Sequence, residues 1–141
     1  MSSSENKILI GNCSGFYGDR LSAAKDMVEG GPVDVLTGDY LAELTMAILY
    51  NQRTQRGEDH GYVGTFLKQF KDVASICQEK GIKIVTNAGG LNPVSMAEKV
   101  EEITHELGLS LKVAHIDGDD LIPRLDELNN EGELQIGRAH V

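Results

Sequence analysis

Apolar and polar positions fall in blocks along the chain, and the block lengths give the first structural reading. Four short segments rich in Ile, Val and Leu stand out, at residues 7–12, 33–37, 82–87 and 111–116. Near-continuous apolar runs of that length suit strands buried on both faces of a parallel sheet. Each is followed by Gly, Asn or Asp and then by a stretch with helical spacing, so the repeating unit is strand, polar turn, helix. Leu21, Ala24 and Val28 share one helical face before Gly30 and Gly31, and Leu41, Leu44, Ile48 and Leu49 form another. A helix over 63–80 carries Phe66, Phe70, Val73 and Cys77 at i, i+4, i+7 and i+11 and stops at Gly81. Asn92 and Pro93 read as a cap and a first-turn proline, followed by Val94, Ala97, Val100, Ile103 and Leu107 on one face until Gly108. Asp120 can cap a last short helix through Leu121, Leu125 and Leu128. The pattern predicts an α/β fold of three layers with a mainly parallel sheet of about four strands, Rossmann-like, with half of a βα barrel as the alternative. The polar stretch 51–64 reads as the one long irregular insertion, a surface loop.

Length and composition narrow the class. At 141 residues the chain buries roughly 70% of its unfolded surface and supports a single core. Two cysteines, Cys13 and Cys77, make no disulfide framework and suit a reducing compartment. A net charge of −9 without clustered Lys or Arg excludes a nucleic-acid footprint. Residues 1–7 are polar, lack the apolar centre of a signal peptide and read as a disordered start. No apolar run is long enough to span a membrane, so the expected setting is the cytoplasm. Residues 136–141 spell a peptide that one reading frame of a widely used sequencing adapter encodes. The native sequence is therefore expected to end at about Gln135, with 8–135 as an α/β domain that is a piece of something longer, and loss of Arg138 takes the charge from −9 to −10.

Parallel α/β folds bind ligands at the carboxyl ends of their strands, which here are four turns. The first holds Gly11, Gly15 and Gly18 ahead of a helix, where backbone N–H groups favour an anion. Its spacing matches neither the dinucleotide nor the P-loop pattern, and Asp19, which can cap the helix, opposes a phosphate. The second is Thr37, Gly38, Asp39 and Tyr40. The third, with Asn87, Gly89, Gly90 and Asn92, is an equally good cradle without an acid. The fourth contributes His115, Asp117, Asp119 and Asp120. We read Gly15, Gly18, Arg20, Gly38, Asn87, Gly89, Gly90 and Asn92 as ligand-binding candidates, and Asp39, Asp117 and Asp119 as candidates for proton chemistry. Asp39 and Asp120 have a competing reading as helix caps, and no metal site or cofactor is assigned. His115 reads as a packed core histidine, Cys13 as an inert small residue and Cys77 as structural.

The stretches 10–20, 36–46 and 85–93, which hold these turns in order, resemble the amino-terminal region of the acyclic terpene utilisation protein AtuA family, over about residues 8–120. The resemblance implies breakdown of terpenoids such as citronellol and geraniol, which passes through branched acyl-CoA thioesters and a biotin-dependent carboxylase. Implied partners are a small molecule, a CoA thioester above all, and either a carboxylase subunit or a second copy of the chain. It assigns no reaction, so only motif membership transfers: Gly15, Asp19 and Arg20; Gly38, Asp39, Tyr40 and Glu43; Asn87, Gly89, Gly90, Asn92 and Pro93. The alternative it leaves open is a non-catalytic assembly module.

Overall fold

The computed structural model describes residues 7–130. Most of the expected start and all of residues 131–141, including the expected foreign end, lie outside the described residues. Strands β1 (Ile10–Asn12), β2 (Val35–Gly38) and β3 (Lys83–Thr86) form one open parallel sheet in the order β1-β2-β3. Ile10 stands beside Val35 and Val35 beside Lys83, so the three carboxyl ends lie next to one another. Helix α1 (Ala23–Gly30) joins β1 to β2, α2 (Glu43–Arg56) and α3 (Gly64–Lys80) join β2 to β3, and α4 (Pro93–Glu106) follows. A 3-10 turn, Ile122–Arg124, leads into α5 (Leu125–Asn130).

Helix α3 is the spine of the molecule. Its Val73 and Cys77 pack with Ala24, Val28 and Leu36 in one cluster, while Phe66, Phe70 and Ala74 pack with Tyr40, Leu49 and Val100 in a second. Each fully buried side chain of this size contributes about 1.5–3 kcal/mol. The ends follow the sequence signals. Gly81 closes α3 with φ +70°, its N–H reaching Cys77 and Gln78 carbonyls. The Asn92 side chain accepts from the Ser95 amide to open α4, with Pro93 in the first turn.

Several expectations are corrected. Residues 111–116 form no strand: Leu111 and Val113 lean on the second cluster, but no ladder pairs them, and His115 is exposed rather than packed. An apolar run becomes a strand only where an edge accepts its hydrogen bonds. The described residues form two layers rather than three. Right-handed crossovers that always advance in one direction place every helix on one face, and a second helical layer needs the strand order to reverse. Ile8, Ile10 and Val85 on the other face are accordingly 69%, 66% and 60% exposed. Half of the expected loop 51–64 is helix: α2 continues to Arg56 and α3 starts at Gly64, so only 57–63 are irregular. Thr45 and Leu49 are buried in α2, whereas Leu44 is 73% exposed. Neither Asp19 nor Asp39 caps a helix, since the residues before α1 and α2 are Ser22 and Ala42. No described helix is long and apolar enough to cross a membrane.

Candidate functional site

The carboxyl ends of β1, β2 and β3 are laced together by hydrogen bonds that cross from strand to strand. The Cys13 amide donates to the Thr37 carbonyl at 2.8 Å and the Asp39 amide to the Ser14 carbonyl at 3.0 Å, fastening the first turn to the second. Asn87, just past β3, fastens the second to the third. Its Oδ1 accepts from the Tyr40 amide at 2.8 Å and its Nδ2 donates to Asp39 Oδ1 at 2.7 Å. The Thr86 hydroxyl adds a bond to the Gly38 carbonyl at 3.0 Å. One face of the Asp39 carboxylate is thus held, while the residue stays exposed at the sheet edge.

Beneath this surface lies a buried polar chain. Tyr40 is 1% exposed because Gly38 has no Cβ, which would stand 2.5 Å from the tyrosine ring. The Tyr40 hydroxyl donates to Gln69 Oε1 at 2.5 Å, and Gln69 Nε2 donates to the Arg20 carbonyl at 3.2 Å. Burial holds the Tyr40 phenol well above its ordinary pKa, and the neighbouring Cys13 adds to the shift. Burial likewise raises the Cys13 thiol, only partly offset by the neighbouring Tyr40 hydroxyl, and pushes Cys77 up to about 11. Neither thiol is activated as a nucleophile near neutral pH. The Tyr40–Gln69 chain fixes the floor of the site.

The expected glycine cradles are largely closed. In the first turn Asp19 Oδ2 accepts from the Gly15 amide at 2.9 Å and Oδ1 from the Arg20 amide at 2.7 Å, so the carboxylate fills the place an anion would take. These two bonds hold the Asp19 pKa below its ordinary value, the Gly15 bond contributing most. Because the folded pKa is depressed, the brace is complete above the ordinary carboxylate range and is lost as pH falls through the lower folded value. We expect the Gly15 amide resonance to shift on acidification below about pH 4 and to stay fixed in Asp19→Asn; an unmoving wild-type resonance would remove the brace. In the third turn the Gly90 amide bonds Asn87, the Leu91 amide Gly61 and the Asn92 amide Gly89. Asn92 Nδ2 is spent on the Glu58 and His60 carbonyls. Gly89 and Gly90 are there for packing, against Pro93 and against Leu49 with the Gly61 carbonyl.

What stays open to a ligand is the first turn's outer surface. Gly15 and Gly18 are exposed, Gly18 at φ +95°, and Phe16 is exposed beside them. Among the described residues the Arg20 guanidinium pairs with Asp26 alone, at 3.0 Å on the surface, a pairing worth little in water. Asp117 and Asp119 are exposed on the unpaired segment and take no part in the hydrogen bonds that hold Asp39. Asp120 is tied to Arg53 at 3.3 Å, and Arg53 also donates to the Leu91 carbonyl at 3.1 Å. Among the described residues no group of three or more acidic, His or Cys side chains is arranged to hold a metal ion. Sequence reasoning overlooked the Tyr40–Gln69 pair. Its signal was Gln69 itself, a polar residue inside the apolar face that Phe66, Phe70 and Val73 define.

A small open parallel sheet of three strands with helices packed on it defines an α/β protein. The model of the acyclic terpene utilisation family protein AtuA matches residues 8–140, and the chain belongs to that family. The match runs through to His140 and so does not separate the last six residues from the rest. No curated protein and no solved structure matches the chain.

Proposed function

We propose that the chain is the strand-end part of a cytoplasmic protein of acyclic terpene breakdown that binds a phosphate-bearing small molecule, of the branched acyl-CoA class, in a Rossmann-like setting. The observation that carries this reading is the Asn87–Asp39 lock, which fixes an exposed carboxylate at the meeting point of three strand ends. Structure alone needs only turns there. In this reading the exposed Phe16 ring stacks on the adenine and Arg20 exchanges its surface partner for a phosphate, which the closed glycine turns do not supply. Asp39, held on one oxygen by Asn87, takes or gives a proton at the acyl end.

Titration calorimetry of the full chain with a branched acyl-CoA thioester tests the proposal. Phe16→Ala and Arg20→Ala are each expected to weaken binding about tenfold, about 1.4 kcal/mol. Asp39→Asn, which keeps the side chain's shape, should bind within a few-fold of wild type. Absence of binding heat at ligand concentrations in the millimolar range would overturn the reading.

A further inference from the structure

The strand ends carry a row of polar side chains on the side turned away from the helices. Gly38 faces the Tyr40 ring beneath α3, so by alternation Thr37 and Asp39 point to the bare side. Asn12 stands beside Thr37 in the register, and Asn87 follows Thr86, the partner of Gly38. Two side-chain pairs result. Asn87 holds Asp39, and the Thr37 hydroxyl, shared with the Gly11 carbonyl, donates to Asn12 Oδ1 at 3.3 Å. Asn12 Nδ2 donates to the Ser14 carbonyl at 3.0 Å. A carbonyl can only accept, which fixes the amide with Nδ2 toward the first turn. Asn12 and Asp39 are both exposed. Among the described residues neither the second Nδ2 hydrogen nor Asp39 Oδ2 has a partner.

We propose that Asn12 determines specificity at the Asp39 site, its free Nδ2 hydrogen binding the carbonyl oxygen of a thioester that enters from the bare side of the sheet. Thr37 positions it by holding Oδ1. This rests on the acyl-CoA reading above and adds which group of the ligand is recognised. Asp39 lies two residues on along the neighbouring strand, about 8 Å away between Cα atoms. That spacing leaves room between the two side chains for a carbonyl and the carbon next to it. The chemistry on each side matches: a neutral donor for an oxygen that can only accept, and a carboxylate oxygen for a carbon whose hydrogens the carbonyl makes acidic. A charged oxygen in the same place would be repelled by Asp39, so the row selects an uncharged acceptor over a phosphate.

Titration calorimetry of the full chain with two probes, a branched acyl-CoA thioester and free coenzyme A, tests the assignment. The wild type is expected to bind the thioester more tightly. Asn12→Ala and Asn12→Asp should each weaken thioester binding about tenfold, the loss of one hydrogen bond, and leave free coenzyme A within about twofold, because that probe lacks the thioester carbonyl. Thr37→Val keeps the side chain's shape but releases the Asn12 amide, and should weaken the thioester about threefold. Free coenzyme A also reports whether the first turn, with Phe16 and Arg20, keeps its form in the variants. Equal losses for both probes would overturn the proposal by showing that Asn12 only shapes the turn. Thioester binding unmoved by both Asn12 substitutions would overturn it too, as would a wild type that binds the two probes alike, and in each of these outcomes the acyl-CoA reading stands. A wild type that binds neither probe overturns both.

Discussion

Tyr40→Ala should cost the fold about 3–5 kcal/mol, the range for removing a large buried aromatic. The ring is among the largest fully buried side chains and stands edge-on to Phe66 at a centroid distance of 6.0 Å. Its removal opens a cavity between the strand ends and α3, and Gln69 Oε1 loses its donor at a buried position. Tyr40→Phe separates the two contributions. It keeps the ring and strands only the amide oxygen, at about 1–3 kcal/mol. Urea unfolding of the two variants checks both figures, and a loss under about 1 kcal/mol for Tyr40→Ala would show that the ring is not a structural anchor.

Gly90→Ala is expected to be the most damaging of the glycine substitutions in the turns, at about 2–4 kcal/mol. Its φ of +54° alone costs an alanine about 1 kcal/mol. The added Cβ would also stand 2.8 Å from the Gly61 carbonyl and against the Leu49 side chain, which is fully buried. Overpacking of that kind adds about 1–3 kcal/mol. Gly108→Ala supplies the control, since Gly108 has φ +67° with nothing within 4 Å of a Cβ. Only the backbone contribution is expected there, and equal losses at the two positions in parallel melts would show that crowding at Gly90 is absent.

Helices were legible where capping chemistry and periodicity agreed. Asn92, Pro93 and Gly108 bracket α4, and Phe66, Phe70, Val73 and Cys77 mark the buried side of α3. Strand identity was legible for β1, β2 and β3 but not for residues 111–116, because apolar content says nothing about whether a neighbouring edge offers hydrogen bonds. The layer count failed for a related reason: sequence shows the alternation of strand and helix, whereas the side on which each helix lands depends on strand order. At the strand ends, the sequence marked the turns but not how their groups pair. Gly15, Asp19 and Asn92 were visible as turn residues, yet Asp19 bonds the Gly15 and Arg20 amides inside its own turn and Asn92 bonds the Glu58 carbonyl in another segment. The pairing of Asn87 with Asp39 across 48 positions had no local signature.

The Tyr40 amide donates to a side chain across the sheet instead of to a neighbouring strand. Its exchange with solvent hydrogen therefore reports how often residue 87 lifts from the end of β2, independently of the global unfolding that limits amides in the centre of α3. One backbone proton thus serves as a clock for local opening of the strand ends, and any molecule that settles on the Asp39 side of the lock should slow it without altering the rest of the exchange pattern.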